Sequence, residues 1–160
     1  MNSISLFVDS SVNPQLKIGV GAYLIVEDFS FKSTEQSVKT KIFENTSSTT
    51  LELQTLLWAL ESLNKELGKL TIYTDCQNIM GLEKRCEAFE KNGYVTRAVK
   101  PVRHAELYRL FYQKIKTLEC KFIKVKGHKQ KAKKDEIDTI FTYVDTVSRK
   151  CLRELIKPTV

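Results

Sequence analysis

Two apolar segments of this chain end in an acid: Ile4-Ser5-Leu6-Phe7-Val8-Asp9 and Leu70-Thr71-Ile72-Tyr73-Thr74-Asp75. A strand with a carboxylate at its C-terminal end presents it at the rim of a sheet, where α/β proteins place their ligands. Side by side, two such strands bring like charges together, and a divalent metal ion bound through oxygen is the natural counter-ion. Taken singly, each aspartate is a common turn former. Glu52 is the third acid of interest. Thr49-Thr50-Leu51-Glu52 matches a capping box, with Thr49 as N-cap and Glu52 reaching back to it. That would account for the glutamate by itself; the other reading aims it at the two aspartates. Cys76 adjoins Asp75 but has no histidine near it in sequence, so it is not read as a nucleophile.

Positioning these acids requires an α/β layer. After the first strand, the turn Ser10-Ser11-Val12-Asn13-Pro14 leads to a second apolar run, Ile18 to Val26. A third extended stretch, Ser37 to Phe43, completes a meander. Leu53, Leu56, Leu57, Leu60, Leu63 and Leu67 recur at helical spacing, and Gly68 supplies a stop. The strand 70–75 follows, then a helical stretch 77–91, a loop to Pro101, a helix 104–117 and a strand 120–126. The final helix has Ile137, Ile140, Phe141, Val144, Val147, Cys151 and Leu155 along one side. The order βββ-α-β-α-α-β-α lets the strands ending in Asp9 and Asp75 lie parallel as neighbours.

At 160 residues the chain suits one domain, 1–160, with a core large enough to need no disulfide or structural metal. Its four cysteines form no CxxC pair and read as free thiols of a reducing cytoplasm. No apolar run nears the ~20 residues that span a bilayer, so no membrane role is expected. The net charge of +7 is uneven: residues 1–99 carry 10 Lys/Arg against 12 Asp/Glu, and residues 100–160 carry 16 against 7. Seven lysines and no acid fall within 121–134. A basic half on a neutral domain fits a polyanionic partner such as nucleic acid.

These fragments, in this order, resemble the ribonuclease H family of bacterial type 1. They are Asp9 on the first strand, Gly19-Val20-Gly21-Ala22-Tyr23, Ser47-Ser48-Thr49-Thr50-Leu51-Glu52-Leu53, Tyr73-Thr74-Asp75-Cys76-Gln77 and Val125-Lys126-Gly127-His128. Lys100-Pro101-Val102-Arg103-His104-Ala105-Glu106-Leu107-Tyr108 is similar to the segment that precedes the family's fourth helix. The likeness spans nearly the whole chain. It implies a ribonuclease H-like α/β fold, with a mixed five-stranded sheet flanked by helices. It also implies metal-dependent endonucleolytic hydrolysis of the RNA strand of RNA–DNA hybrids.

By the same resemblance, Asp9, Glu52, Asp75 and Asp145 would be metal ligands for two Mg²⁺ ions, with Mn²⁺ as the alternative ion. His128 would assist proton transfer or product release. Asp145-Thr146-Val147-Ser148-Arg149 is similar to the family's pattern around its fourth carboxylate, whereas Asp138 matches the usual distance from His128 better. We take Asp145, which requires the last helix to extend two turns further at its N-terminus. Ser47, Ser48, Thr49, Gln77 and His104 stand at nucleic-acid-binding positions. The basic segment 83–103 resembles a protrusion that binds hybrid, with Phe89 and Tyr94 as its aromatics in place of tryptophans. Trp58 is expected in the core. The expected molecule is a cytoplasmic monomer. A nuclease of the same fold with a different nucleic-acid substrate, or a binding module without turnover, are the alternative readings; a protein-interaction domain is disfavoured by the acids and the lysine run.

Overall fold

A computed structural model describes residues 3–27, 38–63, 69–95, 104–125 and 136–157. The described elements are β1 Ser3–Asn13, β2 Ile18–Glu27, β3 Lys39–Glu44, α1 Ser48–Glu61, β4 Lys69–Thr74, α2 Gln77–Met80, α3 Leu82–Lys91, α4 Ala105–Lys116, β5 Glu119–Lys124 and α5 Glu136–Ile156. They build one five-stranded sheet in the order β3-β2-β1-β4-β5. The β1–β2 and β2–β3 pairs are antiparallel, while β1–β4 and β4–β5 are parallel. This is the mixed α/β architecture expected from the sequence.

Alternation along β1 divides the core in two. Ile4, Leu6 and Val8 point to one face, where they meet Leu53, Leu56, Leu57 and Leu60 of α1 and Phe111 and Ile115 of α4. Phe7 points to the other face, with Ala22, Leu24 and Val26 of β2 and Ile140, Phe141 and Val144 of α5. Its ring stacks on Tyr73 of β4 at 4.7 Å between centroids. Helices α1 and α4 therefore cover one side and α5 the other, as the apolar periodicities of their sequences require. Trp58 is half-buried, edge-on to Tyr23.

Several boundaries differ from the sequence expectation for identifiable reasons. β1 does not end at Asp9; it runs to Asn13 because β2 continues to pair with it through the hairpin. Its parallel partner β4 stops at Thr74, so Asp9 lies level with the end of β4 rather than of its own strand. α1 begins at Ser48, and the N-cap is Ser47, whose hydroxyl accepts the N–H of Thr50. The helical stretch after Asp75 breaks at Gly81 into α2 and α3. On α5 the buried positions after Val144 are Ser148 and Leu152. Val147 and Cys151 are half-buried and Leu155 is exposed. The side read from the sequence, Ile137 to Leu155, drifts around a 3.6-residue helix. Tyr94, expected to face a ligand, is buried beneath the Arg109 guanidinium, 4.5 Å from its ring. Gly68, Ser37, residues 96–103 and the lysine-rich run from Lys126 to Lys134, with His128 in it, lie outside the described residues.

Candidate active site: four carboxylates at the end of β4

The β1–β4 register places Phe7 beside Tyr73, so two residues further along each chain Asp9 and Asp75 arrive side by side on one face. Glu52 reaches them from the first turns of α1. Oxygens of Asp9, Glu52 and Asp75 all lie within 4.8 Å of one another. Asp9 is 4% exposed, whereas Asp75 stands open at the rim.

The capping-box account of Glu52 fails in the structure. With Ser47 as N-cap, the third helical position is Thr50, and Glu52 sits at the fifth, too far along to reach back. The side chain turns to the cluster, where the Ser10 hydroxyl bonds to it. α1 can lie this low because of two glycines on β2. A Cβ at Gly19 would collide with Leu51 and one at Gly21 with Thr55, so residues on both sides of Glu52 press against bare backbone.

Asp145, near the middle of α5, completes the set. Its carboxyl hydrogen-bonds to that of Asp9, and its Oδ1 accepts the Nε of Arg149 at 3.0 Å. The same four acids line a cavity of about 460 Å³, together with Ser10, Ser11, Arg149 and Arg153. Asp138 is buried two turns away and is not among the described lining residues. The α5 helix begins at Glu136 among the described residues, with Asp138 in its first turn and Asp145 two turns further along. Sequence reasoning missed Ser10, Ser11 and Arg153 as site residues, and Arg149 entered only as part of the pattern around Asp145.

Electrostatically the cluster is out of balance. Burial, then the hydrogen bond to Asp145 and the charges of Asp75, Asp145 and Glu52, push Asp9 up to about 9. Burial and the Asp75 charge raise Glu52 to about 7, against the opposing Ser10 bond. Two carboxyls can hydrogen-bond only when one holds a proton, and the raised Asp9 is the holder. Its Oδ2 is buried without a hydrogen-bond partner. Converging oxygens, mutual repulsion and an orphaned carboxylate oxygen fit a hard divalent cation. The same surroundings push the Cys76 thiol up, through burial first and the Glu52 charge next, which keeps it protonated and rules against a thiolate nucleophile.

A second group gathers at the N-terminus of α1. Ser47 Oγ lies 2.9 Å from Thr50 Oγ1, which lies 2.9 Å from His104 Nε2. Ser47, Ser48, Thr50 and His104 line a cavity of about 510 Å³ with Lys17, Asn45 and Thr46. A smaller one, about 300 Å³, is bounded by Ser47, Thr49, His104 and Tyr108. The structure thus brings together four of the five positions assigned to nucleic acid. Gln77 stands apart, at the start of α2 near Asp75, where Lys124 Nζ donates to its Oε1 at 2.8 Å. Thr50 and Lys17 were not singled out by the sequence, and Lys124 entered only as charge.

The family model described as RNase H matches residues 1–142. A ribonuclease H of Clostridium botulinum is 32% identical over 111 residues, covering 68% of this chain and 72% of that protein. One of Dechloromonas aromatica is 31% identical over 98 residues, covering 61% of this chain and 66% of its own length, and one of Pseudoalteromonas atlantica is 31% identical over 131, covering 80% of each. Among solved structures, the solution structure of the PFV RNase H domain superposes with a TM-score of 0.65 at 16% identity, covering 93% of this chain and 92% of that one. The prototype foamy virus protease-reverse transcriptase gives 0.66 at 15%, over 93% of this chain and 20% of that one.

Proposed function

This chain belongs to the ribonuclease H family, and on that premise we propose that it hydrolyses the RNA strand of RNA–DNA hybrids with divalent metal ions. The observation that carries the reading is the cluster of Asp9, Glu52 and Asp75 oxygens within 4.8 Å, with Asp9 Oδ2 buried and unpartnered. Asp9, Glu52, Asp75 and Asp145 would hold two Mg²⁺ ions, or Mn²⁺ in their place. When bound, such ions supply a nucleophilic water at neutral pH and positive charge opposite the leaving 3′-oxygen. Asp9 lies between Glu52 of α1 and Asp145 of α5, and it would be the central acid holding the metal. Ser10 keeps the Glu52 carboxylate turned inward. His128 is assigned proton transfer or product release, on its resemblance alone. The products would carry a 5′-phosphate and a 3′-hydroxyl.

Around this centre, Ser47, Ser48, Thr49 and His104 would hold the backbone of the hybrid from the α1 terminus, where N–H groups and hydroxyls favour phosphate. Gln77 and its partner Lys124 would hold it near Asp75. The form we propose is a single-domain cytoplasmic monomer, a location supported by four free cysteines. No described helix is long and apolar enough to cross a membrane.

The decisive measurement incubates labelled RNA–DNA hybrid, duplex DNA and duplex RNA with the protein, in Mg²⁺ and in EDTA. Cleavage of the RNA strand of the hybrid, in Mg²⁺ only, is the expected result. Asp9→Asn and Asp145→Asn should each lower kcat by more than about 100-fold, with hybrid binding kept. Asp138→Asn should stay within about threefold of the parent. Salt-sensitive binding without cleavage would instead make the chain a binding module.

A further inference from the structure

We propose that the Ser11–Ser148 hydrogen bond is a positioning clasp that holds Asp145 against the other three carboxylates. The inference rests on the metal-dependent nuclease reading of the site. Ser148 is fully buried on α5, and its Oγ lies 2.9 Å from Ser11 Oγ on β1. The same Oγ donates to the backbone carbonyl of Asp145 at 3.0 Å. Its single proton is then used, so Ser11 donates the bond between the two hydroxyls. One buried hydroxyl therefore ties the peptide unit of Asp145 to the strand that carries Asp9, two residues from Asp9 and on the same face.

The need for such a tie follows from the forces on α5. Asp145 lines one cavity with three other carboxyl groups, and like charges gathered there repel when no cation is bound. A helix relieves such a force most cheaply by rolling on its sheet. The apolar part of the buried face of α5, Ile140, Phe141, Val144 and Leu152, holds the helix on the sheet by close packing, which sets no direction for the Asp145 peptide itself. A hydrogen bond does have direction. Ser148 lies three residues beyond Asp145, about 60° around the helix and about 4.5 Å along it, close enough to fix the rotation at Asp145 itself. A buried serine that bonds only to the carbonyl one turn back is commonplace in helices. The bond across to β1 is unnecessary to the helix and joins the two elements whose acids must meet.

The test compares Ser11→Ala, Ser148→Ala and the double variant with the parent protein. Two quantities are read: kcat and KM on hybrid, and the Mg²⁺ concentration giving half the thermal stabilisation. A clasp predicts that each single variant loses about tenfold in kcat with KM for hybrid nearly unchanged. The Mg²⁺ midpoint should rise severalfold, and the double variant should be no worse than either single one, since both remove the same bond. Losses that multiply in the double variant would overturn it. So would a lowered melting temperature with an unmoved Mg²⁺ midpoint, the signature of a bond that only supports the fold. If the parent itself cleaves no hybrid, the nuclease reading fails, and the Mg²⁺ midpoints still decide for or against the clasp.

Discussion

Asp9 is a carboxyl group at odds with its surroundings unless a cation joins it. In the ion-free protein its pKa stands at about 9 and that of Glu52 at about 7, above their ordinary values of 3.8 and 4.5. Between those limits the folded chain keeps protons that the unfolded chain releases, so stability must fall as pH rises. In EDTA, the melting temperature should decline from about pH 5 to about pH 9, and millimolar Mg²⁺ should flatten that decline by binding the ionised folded form. Asp9→Asn, expected to lose turnover, should stabilise the ion-free protein by about 1–2 kcal/mol, read by denaturant unfolding at pH 8. Unchanged or lowered stability in that variant would contradict the electrostatic account. The aspartates were legible because an acid that closes an apolar run is a local pattern. Glu52 was legible but ambiguous until the cap proved to be Ser47. The roles of Ser10, Ser11 and Ser148 were not, since a serine hydroxyl gains meaning only from the atom it faces across the fold.

At the scale of elements, the site depends on how closely helices approach the sheet. Gly21 leaves room for Thr55 beneath α1, and a Cβ there would collide with the Thr55 side chain, crowding the helix that carries Glu52. Gly21→Ala should cost about 1–3 kcal/mol of stability and reduce hybrid cleavage at least about tenfold. Gly81→Ala, where an added Cβ meets nothing within 4 Å, is the matched control and should change neither. The meander and the parallel neighbourhood of the strands carrying Asp9 and Asp75 followed from the alternation of apolar runs and helical periods, because two parallel strands need a crossover and two antiparallel ones a turn. Helix ends and the rotation of α5 did not follow. The sequence reading put the cap at Thr49 where the structure uses Ser47, and it put Val147, Cys151 and Leu155 on the apolar side of α5 where the structure buries Ser148 and Leu152.

The molecule as a whole sets a neutral half that supplies three of the four acids beside a basic half that supplies the fourth. Charge counting revealed the division, and only the fold shows that Lys124 comes to Gln77 at the edge of the site. Hybrid binding should weaken steeply with salt, and Lys124→Ala should weaken it uniformly across sequences while reducing the slope of log K against log[salt] by about one. A filter-binding titration at several KCl concentrations reads both.

The placement of the fourth acid also bears on biosynthesis. Asp9, Glu52 and Asp75 come from elements made early, while Asp145 comes from α5, which is made after every other described element. A nascent chain can assemble the sheet and three acids while α5 is still in the exit tunnel, close to ribosomal and messenger RNA. It cannot complete the cage there, so under this assignment hydrolytic competence arrives only after most of the chain has cleared the machinery that made it.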